Sequence, residues 1–312
     1  MQQTRVVSGT PYYLNFIKTF PRIEDLASAD EDKILKMWQG LGYYSRARNL
    51  HYTAKYIVAN FNSKFPDTYE NILNLKGVGT YTAAAIASFA FSLQYAVVDG
   101  NVIRVLSRVF AIDTPFDSSI GKNLFQNLAQ KLLLSNSPAI YNQAIMEFGA
   151  LQCVPKTPNC FNCSINDICQ AFSLNIVSKL PVKSKKINVK KRFLHFLMIN
   201  IDEGFYLKKN AAGIWTGLYE FPFIEFSSRV CIDDVKNSKL WIEFFNGSVI
   251  DIRGVSEEFV HLLSHQKIYA YFWRVESSNL YLDDYQLISK KNLLNYPVSR
   301  LTEKFFESID LA

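Results

Sequence analysis

Residues 153–169 read CVPKTPNCFNCSINDIC, and this stretch decides the prediction of the fold. It holds four of the five cysteines of the 312-residue chain, in the spacing C-x6-C-x2-C-x5-C. These four are Cys153, Cys160, Cys163 and Cys169. Four thiolates on one short loop can hold a 4Fe-4S cluster, and the alternatives are disulfide bonds or a four-thiolate zinc site. Zinc sites favour two close C-x-x-C pairs, and only Cys160 and Cys163 are that close, so the spacing favours the larger cluster.

Length and composition indicate a globular protein of two domains. A chain of 312 residues can build two separate cores, and 49% of its residues are hydrophobic. No apolar run reaches the roughly 18 residues that a membrane span needs, and Met1 is followed by the polar Gln2-Gln3-Thr4 rather than by a signal peptide. We therefore expect a cytoplasmic protein without a membrane partner, in a compartment where thiols stay reduced and can bind metal.

The positive charge is concentrated between the two predicted domains. The chain has a net charge of +6, and residues 173–192 carry seven basic and no acidic side chains. The seven are Lys179, Lys183, Lys185, Lys186, Lys190, Lys191 and Arg192. This segment is either a solvated linker or, in a nucleic-acid-binding protein, a stretch that neutralises backbone phosphates.

The hydrophobic pattern changes across this basic segment. From Tyr12 to about Ala150, apolar residues recur at helical spacing, which predicts an all-α domain over residues 1–172. Residues 193–312 mix strand and helix patterns, which predicts an α+β domain after the basic linker at 173–192. The predicted elements of this domain are strands at Phe193–Ile201, Phe205–Leu207 and Ile268–Val275 and helices at Val230–Phe245 and Val298–Ile309.

A glycine-rich turn lies between two predicted helices. Residues 75–83 read LKGVGTYTA, and Gly77 and Gly79 permit a tight backbone there. The amides that open the following helix have no intrahelical partner, so an anion can bind them. The turn is therefore either an ordinary connection between helices or a helix-hairpin-helix motif that grips a DNA phosphate without reading the base sequence.

A single aspartate follows some twenty residues later. Residues 97–102 read VVDGNV, and Asp99 precedes a predicted helix at Asn101–Phe110. Asp99 can cap the N-terminus of that helix. Its carboxylate can also face positive charge that develops on a sugar, and the two roles are compatible.

The hairpin, the downstream aspartate and the four-cysteine loop, in this order, resemble the endonuclease III superfamily of DNA glycosylases. Within it, the chain resembles over nearly its whole length the adenine DNA glycosylases that remove adenine mispaired with 8-oxoguanine. Four further features carry this resemblance. They are Gly40–Leu50 (GLGYYSRARNL), Tyr81 where lyase-type relatives place a Schiff-base lysine, Gly217–Pro222 (GLYEFP), and His261–His265 (HLLSH).

The resemblance implies a domain plan and a cofactor. It places a glycosylase domain at 1–172, with the helix-hairpin-helix at about 68–92 and a 4Fe-4S loop at 153–169. The domain at 193–312 is similar to Nudix-fold domains but lacks a glutamate-rich hydrolase signature, so we expect it to recognise 8-oxoguanine and not to hydrolyse a nucleotide. The implied partner is double-stranded DNA with 8-oxoguanine:adenine or guanine:adenine mispairs. We expect a bacterial monomer that associates with the nucleoid when it binds DNA.

The resemblance also implies roles for single residues. Asp99 would stabilise an oxocarbenium-like sugar after the adenine flips out of the stack, and Tyr81 would line the sugar side. The residues expected to contact DNA are Gln3, Tyr43, Gly77, Gly79, Ser264 and His265. Because Tyr81 has no amine, we expect an abasic-site product, which argues against a bifunctional glycosylase/lyase.

The family's general acid is a glutamate a few residues upstream of a Leu-Gln-Gln-Thr motif, and here Met1 stands at the leucine position. We expect the cellular protein to begin further upstream and to carry that glutamate. The alternative is a chain that binds mispaired DNA and does not excise the base.

Overall fold

The computed structural model describes residues 4, 6–184, 189–202 and 204–309. The described residues form two compact units. The sheet unit comprises residues up to Val58 together with those from Val189 onward, and the helical unit runs from Ala59 to Ser184. These units group residues by contact, whereas the predicted boundaries at 172 and 193 divide the chain by fold type, so those boundaries stay a prediction.

The sheet unit contains a mixed sheet of eight strands, in the order β3-β2-β1-β7-β5, with β4 beside β1, β6 beside β7 and β8 beside β2. The strands are β1 Lys190–Ile201, β2 Gly204–Lys209, β3 Tyr219–Glu220, β4 Phe223–Phe226, β5 Ile250–Val255, β6 Phe259–Leu262, β7 Gln266–Ser277 and β8 Gln286–Ser289. The two longest strands, β1 and β7, are parallel, and Lys191 lies opposite Lys267. The other pairs are antiparallel.

Strand β1 is buried on both sides, which explains its continuous run of apolar residues. Alternate side chains of a strand point to opposite faces of a sheet. Leu194 and Phe196 join one hydrophobic cluster with the N-terminal helices, and Leu197 and Ile199 join another on the opposite face. The sheet therefore has two cores, one on each face.

Four helices at the start of the chain cover the first face. They are α1 Val6–Thr19, α2 Ile23–Ser28, α3 Glu31–Trp38 and α4 Ser45–Asn60, the last ending at the boundary of the unit. Helix α3 buries Ile34, Leu35 and Trp38 in the same cluster as Leu194 of β1. The hydroxyl of Tyr44 donates to the Val298 carbonyl at 3.2 Å, which adds a polar contact to this packing.

The prediction of one helix over Val230–Phe245 is wrong. Residues 232–236 and 239–245 form two short helices, α11 Ile232–Lys236 and α12 Lys239–Phe245. The break occurs because the Ser238 hydroxyl accepts the Trp241 amide and caps the second helix. The closing helix is α13 Arg300–Glu307, and the predicted strands at 193–201, 205–207 and 268–275 are present in longer form.

The helical unit has the predicted all-α character. Its helices are α5 Tyr69–Leu73, α6 Thr80–Phe91, α7 Gly100–Val109, α8 Ser119–Leu132, α9 Pro138–Leu151 and α10 Gln170–Ser173. One core packs Val102 and Leu106 of α7 against Phe125 of α8. In neither unit do the described residues include a helix with the length and apolar character needed to cross a membrane.

Gly217 lies at a close approach between the sheet and α3. Its backbone has φ +84°, a conformation that favours glycine. A Cβ atom there would lie 3.0 Å from Cδ1 of Leu35 and 3.4 Å from Oε1 of Glu31. Gly213 has a similar φ of +82° but nothing within 4 Å of the same position.

We predict that Gly217→Ala destabilises the protein more than Gly213→Ala does. Both changes place a side chain at positive φ, which costs about 1–2 kcal/mol. Only Gly217→Ala also presses on the buried Leu35, which adds about 1 kcal/mol or more. Urea unfolding of the two variants measures the difference, and equal free energies of unfolding would show that the contact is unimportant.

Candidate functional site

The glycine-rich turn forms the predicted hairpin between α5 and α6. The Val78 amide donates to the Leu75 carbonyl at 3.1 Å, and Gly77 has φ +81°. Gly79 is the N-cap residue of α6 and makes no side-chain cap, and the space where its Cβ would lie is open. The first amides of a helix have no intrahelical partner, so this end of α6 can bind an anion.

Asp99 caps α7, as predicted. Its Oδ1 accepts the amides of Asn101 and Val102, both at 2.8 Å. Its Oδ2 accepts Nδ2 of Asn101 at 2.8 Å. Asp99 is only partly buried, so three N–H groups fix the direction of a carboxylate that solvent can still reach.

Tyr81 lies near this carboxylate. It is the second residue of α6 and its side chain is 43% exposed. Partial burial raises the pKa of Tyr81, and the negative charge of Asp99 raises it further. The helical unit therefore brings together the two residues that the sequence predicts as catalytic.

A chain of hydrogen bonds joins Asp99 to the cysteine loop through Asn101 and Arg104. Oδ1 of Asn101 accepts from Arg104 at 2.8 Å, and the Arg104 Nε donates to the Cys153 carbonyl at 2.7 Å. Arg104 also donates to the Gly149 carbonyl of α9 at 2.5 Å. A Cβ at Gly149 would lie 2.8 Å from Cβ of Asn101, so α7 and α9 approach this closely only because residue 149 is glycine.

A second buried arginine of α7 holds the start of the cysteine loop. Arg108 is 2% exposed, and its guanidinium donates to the carbonyls of Val154 and Pro155 at 2.9 and 3.0 Å. It also donates to Sγ of Cys153 at 3.4 Å. Asn101, Arg104 and Arg108 are not among the residues predicted from the sequence. The two arginines could have been found from the sequence, because they lie four residues apart on a largely apolar helix. A charged side chain is rarely buried unless it is paired or hydrogen-bonded.

The four loop cysteines line one pocket together with Arg108 and Phe172. All four are free thiols, which excludes the disulfide alternative in this structure. Burial raises the pKa of Cys160, and the other three loop cysteines raise it further. Within the described ranges, no group of three or more His, Cys, Asp or Glu side chains is arranged to hold a metal ion.

The sheet unit brings together two other predicted residues. The hydroxyls of Tyr43 and Ser264 are 2.7 Å apart, and both side chains are exposed. Ser264 and His265 are the central residues of the β6–β7 turn, which the Leu263 amide closes by donating to the Gln266 carbonyl at 2.8 Å. The side chain of His265 is exposed, and its carbonyl accepts the Lys190 amide at 2.9 Å. Gln3 lies outside the described residues.

Comparison with known proteins and families identifies relatives that match much of this chain. Residues 1–131 match the family described as "HhH-GPD superfamily base excision DNA repair protein". An adenine DNA glycosylase of Buchnera aphidicola subsp. Baizongia pistaciae is 36% identical over 275 residues, which cover 86% of this chain and 74% of that protein. An adenine DNA glycosylase of Mus musculus is 43% identical over 173 residues, 55% of this chain and 34% of that protein.

A solved structure described as a thermostable thymine-DNA glycosylase is also similar. It is 26% identical, with a TM-score of 0.52 over 55% of this chain and 80% of that chain. With the family match, this likeness confirms the predicted helix-hairpin-helix fold.

We predict that Asp99→Asn lowers the pKa of Tyr81, because it removes a negative charge that disfavours the tyrosinate. Burial remains, so the pKa should stay above that of an exposed tyrosine. NMR titration with tyrosine labelled at Cζ measures the change. Asp113→Asn removes one charge from an exposed position and is the matched control. Equal Tyr81 titration in the wild type and the Asp99 variant would contradict the proximity of these groups.

Proposed function

The chain belongs to the adenine DNA glycosylase family of the HhH-GPD superfamily, and we propose that it removes adenine mispaired with 8-oxoguanine or guanine in double-stranded DNA. The reaction is hydrolysis of the N-glycosidic bond, which leaves an abasic site for base-excision repair. The observation that carries this proposal is the partly exposed Asp99 carboxylate, held by three N–H groups and close enough to Tyr81 to raise its pKa.

The hairpin supplies a contact that does not depend on base sequence. A duplex phosphate fits the open N-terminus of α6, where Gly79 leaves room for the backbone to approach. Excision requires the adenine to leave the base stack and enter a pocket. A hairpin grip of this kind positions the flipped nucleotide and leaves the choice of base to other residues.

Asp99 and Tyr81 then define the chemistry at the sugar. As the bond to adenine breaks, positive charge develops on the sugar, and the fixed carboxylate of Asp99 stabilises it. Water completes the hydrolysis. Tyr81 has a hydroxyl and no amine, so no Schiff base forms through it, and strand cleavage by lyase chemistry is not expected.

The sheet unit supplies the reading of the opposite base. We assign this role to Tyr43 and Ser264, whose hydroxyls are hydrogen-bonded to each other in the sheet unit. His265 follows Ser264 in the β6–β7 turn. An exposed aromatic ring can stack on a base, and a serine hydroxyl can donate to or accept from its edge. The likeness of residues 193–312 to Nudix domains, the monomeric state and the cytoplasmic location stay predictions from the sequence.

The four loop cysteines fit a 4Fe-4S cluster. Each thiolate of a cubane cluster binds its own iron, so the four sulfurs stand further apart than around one ion. The four cysteines line one pocket, and only Cys160 and Cys163 have the close spacing typical of zinc sites, which supports this proposal. When bound, the cluster would link the loop segments between Cys153 and Cys169. The Arg108 guanidinium, which donates to a sulfur there, offsets thiolate charge.

We predict that Asp99→Asn slows adenine release by about 10²–10³-fold, because the charge that stabilises the sugar cation is lost. Asparagine caps a helix as well as aspartate does, so α7 should persist. Single-turnover release from a duplex with 8-oxoguanine opposite adenine measures the rate. The assay is run on the 312-residue chain and on one extended upstream of Met1 by a segment with the glutamate that the resemblance implies. Asp113→Asn is the control, and undiminished release by Asp99→Asn would refute the proposed role.

The same assay separates the alternatives. If the 312-residue chain and the extended chain release adenine equally fast, a glutamate upstream of Met1 is not the general acid. If both bind the mispaired duplex and neither releases adenine, the protein is a DNA-binding member of the family without excision activity. A covalent adduct trapped by borohydride would instead identify a lyase.

We predict that Cys163→Ser abolishes the brown visible absorbance and most of the bound iron, because one of four cluster ligands is lost. Cys231→Ser removes an exposed thiol outside the loop and should change neither quantity. Optical spectra and iron and sulfide analysis of the purified proteins measure both. A colourless wild-type protein that contains zinc would refute the cluster.

A further inference from the structure

The parallel pairing of β1 and β7 brings three lysines beside the Ser264 turn. The two strands begin at the same end of the sheet, so Lys190 lies opposite Gln266 and Lys191 opposite Lys267. The hydrogen bond from the Lys190 amide to the His265 carbonyl ties the start of β1 to the turn. Lys190 and Lys191 are exposed, and Lys267 is partly exposed with its ammonium 5.0 Å from the centre of the Tyr269 ring.

These lysines differ from the arginines near them in their partners. Arg192 makes a two-pronged ion pair with Glu225, at 2.6 and 2.7 Å. Arg229 makes another with Glu258, at 2.8 Å for both contacts. Among residues with described positions, no carboxylate lies within ion-pair distance of Lys190, Lys191 or Lys267. The nearby carboxylates already pair with arginines, and the negative charges of Glu225 and Glu258 also act on Lys190 and Lys267. Five basic side chains thus share two carboxylates, which leaves positive charge in excess at this end of the sheet.

Two like charges directly opposite each other on neighbouring strands destabilise a sheet. Lys191 and Lys267 form such a pair, and it stands beside the turn that presents Ser264 to the Tyr43 hydroxyl. A bound phosphate would remove the repulsion, because its negative charge would lie between the two ammonium groups. An excess of positive charge next to the proposed base-reading turn is suited to binding the phosphate backbone that carries the base.

We propose that Lys191 and Lys267, which lie on the same face of the sheet, bind the phosphodiester backbone of duplex DNA at the end of the sheet that carries the Ser264 turn, an inference that rests on the proposed function. The contact is electrostatic and independent of base sequence. It fixes the position of the duplex on the sheet unit, and Ser264 and Tyr43 then read the base. Lys267 belongs to this surface although it lies far from the basic linker in sequence.

The test measures how DNA binding by the double variant Lys191→Gln/Lys267→Gln of the 312-residue chain depends on salt concentration. Affinity is measured by fluorescence anisotropy between 50 and 200 mM salt. One duplex has 8-oxoguanine opposite a stable abasic-site analogue, and the other is undamaged. Each lost phosphate contact lowers the slope of log K against log salt by about 0.9, so the double variant should lose about 1.8. When salt rises from 50 to 200 mM, the double variant should therefore lose about 12-fold less affinity for DNA than the wild type loses.

Two control proteins make the result specific. Lys236→Gln/Lys239→Gln removes two exposed lysines of α11 and α12 and should keep the wild-type slope. Lys191→Arg/Lys267→Arg keeps both charges and should also keep the slope. A slope for Lys191→Gln/Lys267→Gln equal to that of the first control overturns the proposal. An effect confined to the damaged duplex overturns it too, because a backbone contact acts on both.

Failure of the lesion-reading role would give a different result. Ser264→Ala should narrow the preference for 8-oxoguanine over guanine and leave the salt slope unchanged, since a neutral hydroxyl releases no counterion. If Ser264→Ala keeps the wild-type preference and the lysine variant has a reduced salt slope, the proposed role of Ser264 is wrong and the phosphate contact is supported.

Discussion

The guanidinium of Arg104 is the constraint on which the candidate catalytic centre depends. It is 8% exposed, its donors reach Asn101, Gly149 and the Cys153 carbonyl, and within the described part of the chain it forms no ion pair with a carboxylate. A buried charge costs several kcal/mol unless its hydrogen bonds are made, so these groups must keep their places together. Because Asn101 also donates to Asp99, the direction of the proposed catalytic carboxylate depends on where the cysteine loop begins. A cofactor that orders the loop would therefore influence the reaction without touching the substrate.

In the sheet unit, packing holds two exposed hydroxyls, those of Tyr43 and Ser264, within hydrogen-bond distance. Tyr43 precedes α4 and Ser264 lies in a turn, yet both are attached to one hydrophobic core through α3 and β7. The close approach at Gly217 presses that helix against the sheet. Rigid packing of this kind lets the hydroxyls of Tyr43 and Ser264, 221 residues apart in sequence, meet at 2.7 Å.

Local chemistry was predictable from the sequence, and non-local pairing was not. Asp99 as a cap and Gly77 at the hairpin follow from rules that act within a few residues, and both are confirmed. The break at Ser238 was missed because its apolar pattern resembles one helix, although the serine cap is a local signal. Arg104 was missed because a basic residue on a helix usually faces solvent. The apolar stripe of α3 predicts burial, but periodicity cannot say that its partner is a strand more than 150 residues away.

The grouping of α1–α4 with the C-terminal sheet has a consequence for biosynthesis. The ribosome releases these helices long before β1 and β7 exist. Leu35 and Trp38 of α3 belong to a core that those late strands complete, although Trp38 also contacts Phe16 of α1. The helical unit uses contacts between neighbours in sequence, so it can form during translation, whereas the sheet unit waits for the last third of the chain. In that interval the apolar side chains that later contact the sheet are exposed to solvent, and chaperones bind transiently exposed apolar surface of this kind.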